Sequence, residues 1–155
     1  WIRNGVRVNP KKKHQKLDGW IFKPSLELCL ISPSTVLLKR ELFEVHGLFD
    51  ENLAICEDYD LWLRLTAQHK VALLSEKLMT RHGGHADQLS WSDWGIDRYR
   101  VQSIIKILKT EKLRTQDRSA AIVVLRKKCR ILINGFRKRG KLEEVEKYEK
   151  IVNEY

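Results

Sequence analysis

The sequence has few cysteines and no long apolar run. Its three cysteines, Cys29, Cys56 and Cys129, lie far apart and form no C-x-x-C pair, which argues against a disulfide framework or a zinc knuckle. We therefore interpret them as reduced, buried thiols of a cytosolic protein. No apolar stretch approaches the roughly 18–20 residues that span a bilayer, so the sequence predicts no transmembrane helix.

The chain also lacks a starting methionine and a signal-peptide pattern, since it begins at Trp1. We interpret this start as the boundary of a fragment. The 155 residues correspond to about one domain. A hydrophobic content of 43% and a charged content of 32% are typical of a globular protein rather than a disordered one.

Positive charge is unevenly distributed along the chain, whose net charge is +10. Residues 1–97 contain 13 lysines and arginines and 13 acids, whereas residues 98–155 contain 17 and 7. The whole excess lies in the last third. This change in charge predicts a mixed α/β part over 1–97 and a basic helical extension over 98–155.

Local patterns in the first part predict short elements. Asn4-Gly5 predicts a hairpin turn, and the segment after Pro24 favours a short helix. Continuous apolar character predicts buried strands at 35–38 and in "KVALLS" (70–75), with a helix ending at Gly47 between them.

Helical spacing of apolar residues dominates the second part. It predicts helices over 99–108, 118–136 and 142–155, the last two joined by "RKRGK" into an antiparallel hairpin. The inner stripe of the long helix is predicted to consist of Ala121, Val124, Leu125, Ile131 and Leu132.

Three acids, Glu57, Asp58 and Asp60, lie where a Trp/Leu-rich helix is predicted to begin. Acids in a first helical turn each stabilise the helix by about 0.3–1 kcal/mol. Asp60 and Arg64 are also spaced as an i,i+4 ion pair on an exposed face. Capping alone is thus one explanation of the acids, and chemistry is another.

The residues around these acids resemble the family 2 glycosyltransferases, which have the GT-A fold. That family typically carries "G-x-FDE", a short spacer and then "ED-aromatic-D-L-x-x-R". This sequence has Gly47 with Phe49-Asp50-Glu51, followed by "EDYDLWLR" over 57–64. Upstream "ISPSTVLLKRELFEVHG" and downstream "VALLSEKLMTRHGGHADQLS" extend the resemblance over roughly residues 20–90.

The resemblance implies an α/β fold. Residues 1–97 would be the C-terminal, acceptor-side half of a GT-A (nucleotide-diphospho-sugar transferase) domain. The donor-binding half with its metal-binding D-x-D would be missing, because the only D-x-D here is Asp58-Tyr59-Asp60 itself. We therefore expect the isolated chain to be inactive, with uncovered strand edges.

The resemblance also assigns roles to the acids. Asp58 matches the usual general base, which takes the proton of the acceptor hydroxyl in an inverting transfer. Glu57 would orient the site or bind acceptor hydroxyls. A divalent metal would stabilise the departing diphosphate.

The "RHGGHADQLS" loop supplies the other predicted contacts. When aligned on Leu89-Ser90, His85 rather than His82 matches a family histidine that binds the metal or diphosphate. Imidazole suits Mn²⁺ better than Mg²⁺. Gly84 would allow close approach of a phosphate, and the other predicted substrate-binding residues are Arg81, Gln88 and Trp91.

The implied partners are a nucleotide-sugar donor and a saccharide or lipid-linked saccharide acceptor, in cell-envelope polysaccharide biosynthesis. The expected location is the cytoplasm, peripheral to the inner face of the membrane, with the basic residues 98–155 against anionic lipid. One alternative is a non-catalytic glycosyltransferase-like scaffold. The other is a basic nucleic-acid-binding module, although helix-turn-helix, RNP and zinc-finger signatures are lacking and the acids would have no purpose in it.

Overall fold

The computed structural model describes residues 1–9, 12–80, 82–83, 95–110 and 112–155. Strands β1 (Ile2–Arg3) and β2 (Val6–Arg7) form an antiparallel hairpin. Asn4 and Gly5 both have positive φ angles, 50° and 77°, which confirms the predicted two-residue turn. Strand β3 (His82–Gly83) pairs parallel with β1, so the strand order is β2-β1-β3.

Three short helices follow the hairpin in the first part of the chain. They are α1 (Phe22–Glu27), α2 (Glu41–His46) and α3 (Glu57–Thr66), with 3-10 turns at Lys12–His14 and Pro33–Thr35. Gly47 ends α2 with a φ angle of 76°, a conformation that glycine adopts without strain. The predicted helix before Gly47 is therefore confirmed, and the short helix predicted after Pro24 forms but begins two residues before it, at Phe22.

The two predicted buried strands do not form, and the prediction of an α/β GT-A fold is wrong. Thr35 ends a 3-10 turn, residues 36–38 belong to no strand, and Leu37 is 99% exposed. The "KVALLS" segment has a single bridge, Val71 with Gly19, and Leu74 is 73% exposed. A GT-A fold needs a sheet that helices cover, whereas the described chain is mostly helical, with strands of two residues and helices packed on one another.

The second part contains α4 (Asp97–Leu108), α5 (Thr115–Arg137) and α6 (Leu142–Glu154). The predicted α5–α6 hairpin is confirmed, and the stacked rings of Phe136 and Tyr148 lie 5.6 Å apart within it. Ile131 is 53% exposed, so its place in the inner stripe was wrong. The other four predicted positions are buried, and Cys129 and Ile133 also face inward, because buried positions on α5 follow steps of three and four residues.

One hydrophobic cluster joins the two parts of the chain. It contains Leu26, Tyr59 and Leu63 from the first part, with Ile104 and Leu125 from the second. The opposite side of α3 packs Leu61, Trp62 and Leu65 against the segments before and within α2. Helix α3 is therefore covered on both sides, which fixes the position of its first turn.

No helix within the described residues is both long enough and apolar enough to cross a membrane.

Candidate functional site

The candidate site is built on the first turn of α3, which begins at Glu57 as predicted. Cys56 precedes it with a φ angle of 66°, in the left-handed region that a non-glycine residue rarely adopts. Such a conformation costs of order 1–3 kcal/mol, so the packing around α3 must hold it in place. Glu57 and Asp58 are half-buried, whereas Tyr59 and the next four residues are buried.

Two neutral donors hold the Asp58 carboxylate. The backbone N–H of Tyr59 donates to Oδ1 at 2.7 Å, and the thiol of Cys29 lies 3.4 Å from Oδ2. The same thiol lies 3.2 Å from the carbonyl oxygen of Ile31. Burial, and then the negative charge of Asp58, raise the pKa of Cys29 far above its ordinary value, so the thiol keeps its proton. Cys29 links the end of α1 to the first turn of α3.

Asp60, in contrast, is held by two cations. Its Oδ2 accepts from Arg64 Nε at 2.9 Å and from Lys106 Nζ at 3.0 Å. The predicted i,i+4 pair is confirmed, but the Asp60 side chain is only 2% exposed, so the pair does not lie on an exposed face. Lys106 also donates to Asp50 at 2.7 Å, and this bond, helped by Asn52, lowers the pKa of Asp50 to about 2.

Arg64 joins the "G-x-FDE" segment to α3. Besides its bond to Asp60, the guanidinium donates to the carbonyl oxygens of His46 and Leu48, the latter at 2.8 Å. A Cβ on Gly47 would lie 3.5 Å from the same guanidinium, which is an ordinary contact, so the φ angle of 76° rather than a lack of space favours glycine at this position. Arg64 thus holds the segment that begins at Gly47 against α3, although Gly47 and Asp58 lie 11 residues apart in the sequence.

A second charged cluster lies behind Tyr59. The Tyr59 hydroxyl donates to the Leu26 carbonyl oxygen at 2.7 Å, and the Arg100 guanidinium lies 5.8 Å from the Tyr59 ring centre. Asp97 Oδ1 accepts from both Arg100 and Lys128 at 3.1 Å. Lys128 is buried, and burial lowers its pKa even though Asp97 favours the charged form. The basic extension therefore contributes cations to the region behind α3.

Sequence reasoning missed three of these residues. Lys128 interrupts the otherwise apolar inner stripe of α5, which could have marked it as an inward-facing cation. Lys106 reaches Asp60 across 46 positions, and Cys29 reaches Asp58 across 29. No local pattern carries either contact.

The remaining predicted site residues cannot be placed. Arg81, Gly84, His85, Gln88 and Trp91 all lie outside the described residues. Within the described ranges, no three or more His, Cys, Asp and Glu side chains are grouped to hold a metal ion. Glu57 and Asp58 alone do not make a complete ligand set there, and the predicted ligand His85 is not among the placed residues.

Comparison with models of known families, with curated proteins and with solved structures found no match.

Proposed function

We propose that this chain carries the general-base site of a nucleotide-sugar-dependent glycosyltransferase, with Asp58 as the base. One observation supports this most. Of the acids in the motif, Asp50 and Asp60 are neutralised by Lys106 and Arg64, whereas Asp58 contacts only neutral donors among the described residues. The proposal concerns the chemistry of the α3 turn and does not depend on a GT-A sheet.

Neutral donors suit a general base. A cation in contact with a carboxylate favours its charged form and makes it a poorer proton acceptor. An N–H and a thiol orient the oxygens at a lower cost in basicity. The cationic pairs meanwhile fix the surrounding frame, so Asp58 is held in place without being neutralised.

The reaction would proceed in one displacement. Asp58 takes the proton from an acceptor hydroxyl as that oxygen bonds to the anomeric carbon of the donor sugar. The bond from that carbon to the diphosphate oxygen breaks, and the nucleoside diphosphate leaves with the electron pair. Attack opposite the leaving group inverts the anomeric centre, and Glu57, one position before Asp58, would bind acceptor hydroxyls.

The test is sugar transfer from a panel of nucleotide sugars to saccharide acceptors, with the protein as the cell makes it. We expect transfer to fall by a factor of about 100 or more in Asp58→Asn, which keeps the shape but removes the base. Glu57→Gln should mainly weaken acceptor binding. Equal transfer by wild type and Asp58→Asn would contradict the base role, and absence of transfer from every donor would favour a non-catalytic scaffold.

We also propose that the chain binds an anionic membrane surface from the cytoplasmic side, through the outer face of α5. This basic face consists of Val123, Arg126, Arg130 and Ile131 of α5 and of Lys138 directly after it, all exposed. Val123 and Ile131 are 66% and 53% exposed, and no acid of α5 lies among them, since its only acid, Asp117, is buried. Cations beside exposed aliphatic side chains match a lipid headgroup layer better than a phosphate backbone, which offers nothing apolar to bury.

Co-sedimentation with vesicles tests this surface. We expect binding to vesicles that contain phosphatidylglycerol, no binding to pure phosphatidylcholine, and loss of binding in Arg126→Glu/Arg130→Glu. Lys150→Glu on α6 is the matched control, because its cation already pairs with Glu146 outside the basic face. Retained binding in the double variant, or tight binding to duplex DNA at moderate salt with none to vesicles, would contradict the membrane proposal.

A further inference from the structure

We propose that Cys29 is a positioning residue for Asp58, its thiol fixing the orientation of the carboxylate. The inference deepens the proposed function, because it rests on Asp58 being the base. It is carried by the 3.4 Å contact between Cys29 Sγ and Asp58 Oδ2, which spans 29 positions of the chain. The Tyr59 N–H fixes the other oxygen at 2.7 Å, so the two donors together set the plane of the carboxylate.

The thiol has one proton and two acceptors within reach. The carbonyl oxygen of Ile31 lies at 3.2 Å and the Asp58 carboxylate at 3.4 Å. A carboxylate is the stronger acceptor because it carries a full negative charge. We therefore assign Asp58 as the acceptor of the S–H hydrogen bond, with the Ile31 carbonyl as a secondary contact that keeps the sulfur in place.

A thiol is well suited to this position. An S–H group is a weak donor, so it orients the carboxylate of Asp58 without occupying both lone pairs of Oδ2. The other lone pair can still take the proton of the acceptor sugar's hydroxyl. A hydroxyl in the same place would orient the carboxylate equally well but bond it more strongly. Cys29 stays a donor throughout the ordinary pH range, because burial raises the pKa of its thiol.

Infrared spectroscopy of the S–H stretch tests the contact without any substrate. The difference spectrum between wild type and Cys29→Ser identifies the Cys29 band. In Asp58→Asn we expect that band to move to higher frequency, because an amide oxygen accepts a weaker hydrogen bond. A band that stays in place would mean that the S–H group donates to the Ile31 carbonyl oxygen instead of Asp58, and it would overturn the proposal.

Kinetics of the natural protein separate this proposal from the proposed function. Cys29→Ala should lower kcat roughly 5- to 10-fold with KM unchanged, while Cys29→Ser should keep kcat within about 3-fold of wild type. Cys129→Ala removes a buried thiol of α5 and should lower stability without changing kcat. Wild-type kcat in Cys29→Ala, with transfer abolished in Asp58→Asn, would overturn the positioning role and leave the base intact. A wild type without transfer activity would overturn the proposed function, while the S–H band would still decide the contact.

Discussion

At the scale of single residues, the acids at the start of α3 differ in their partners. Asp60 is buried against Arg64 and Lys106, whereas Asp58 is half-buried between a backbone N–H and a thiol. A buried carboxylate requires cations to offset its desolvation, and a half-buried one does not. We therefore infer that Asp60 has a structural role, whereas Asp58, two positions before it on the same helix, is available for chemistry.

This difference predicts that two conservative substitutions change the free energy of unfolding by unequal amounts. Asp60→Asn should lower the free energy of unfolding by about 2–3 kcal/mol, because it removes the buried carboxylate that Arg64 and Lys106 share and leaves Lys106 with Asp50 alone. The loss stays below the full cost of a broken buried pair, since the Lys106 side chain is 45% exposed. Asp58→Asn should change stability by less than about 1 kcal/mol, because its amide oxygen can still accept from Tyr59 N–H.

Urea unfolding of the two variants beside wild type measures both effects. Glu143→Gln, which changes an exposed acid in the first turn of α6, serves as the matched control. Equal destabilisation by Asp58→Asn and Asp60→Asn would contradict the inference that Asp60 stabilises the fold and Asp58 does not.

Sequence alone could predict part of this site. The start of α3 and the Asp60–Arg64 pair follow from local spacing, and both are confirmed. The burial of Asp60 was not predictable, because it depends on Lys106, which lies 46 positions away on another helix. The contact between Cys29 and Asp58 was not predictable for the same reason, since only the folded chain brings the end of α1 close to Asp58.

At the scale of elements, α2 and α3 are joined by a pair of histidines. His46, the last residue of α2, and His69, just beyond α3, have their Nε2 atoms 2.8 Å apart, with rings at 88°. One ring must donate and the other accept, so at least one nitrogen of the pair is unprotonated. Burial, then the charges of His69, Lys112 and Arg64, lower the pKa of His46 below its ordinary value of 6.5.

The histidine pair predicts a loss of stability in mild acid. Because the pKa of His46 is lower in the folded chain, the unfolded chain takes up its proton first as the pH falls. The contribution of neutral His46 to the stability of the folded chain is complete above pH 6.5 and decreases as the pH drops through and below that value. We expect the melting temperature of wild type to fall more than that of His46→Gln between about pH 8 and pH 5.

Thermal melts of the two proteins across this range provide the measurement. His14→Gln, which changes a histidine packed on Trp1, controls for the loss of any one imidazole. The same pH slope in His46→Gln and wild type would show that the pair does not titrate with folding.

At the scale of the whole molecule, helix periodicity was the reliable signal and continuous apolar character was not. All three helices of the basic extension were predicted, because long stretches with apolar residues every three or four positions have one way to be buried. The apolar runs at 35–38 and 70–75 predicted strands, but a strand also needs a neighbour to pair with. The described chain supplies only the Gly19–Val71 bridge, so these runs form no strand.

The shared core predicts that the two parts of the chain unfold together. Leu125 of α5 is fully buried in the same cluster as Leu26 and Tyr59. Truncating its side chain should therefore destabilise residues 1–97 as well as residues 98–155. Leu125→Ala should lower the free energy of unfolding by about 2–5 kcal/mol. Val123→Ala, two positions away on the exposed face, should change it by less than about 0.5 kcal/mol.

Two probes can follow the two parts separately. All five tryptophans lie within residues 1–97, so their fluorescence reports the first part. Far-ultraviolet circular dichroism is dominated by α4, α5 and α6, which hold most of the helical residues described. If the core is common, both signals give one denaturation midpoint in wild type and the same lower midpoint in Leu125→Ala. A dichroism midpoint that falls while the fluorescence midpoint stays unchanged would instead show that the charge boundary near residue 97 separates two independently folding units.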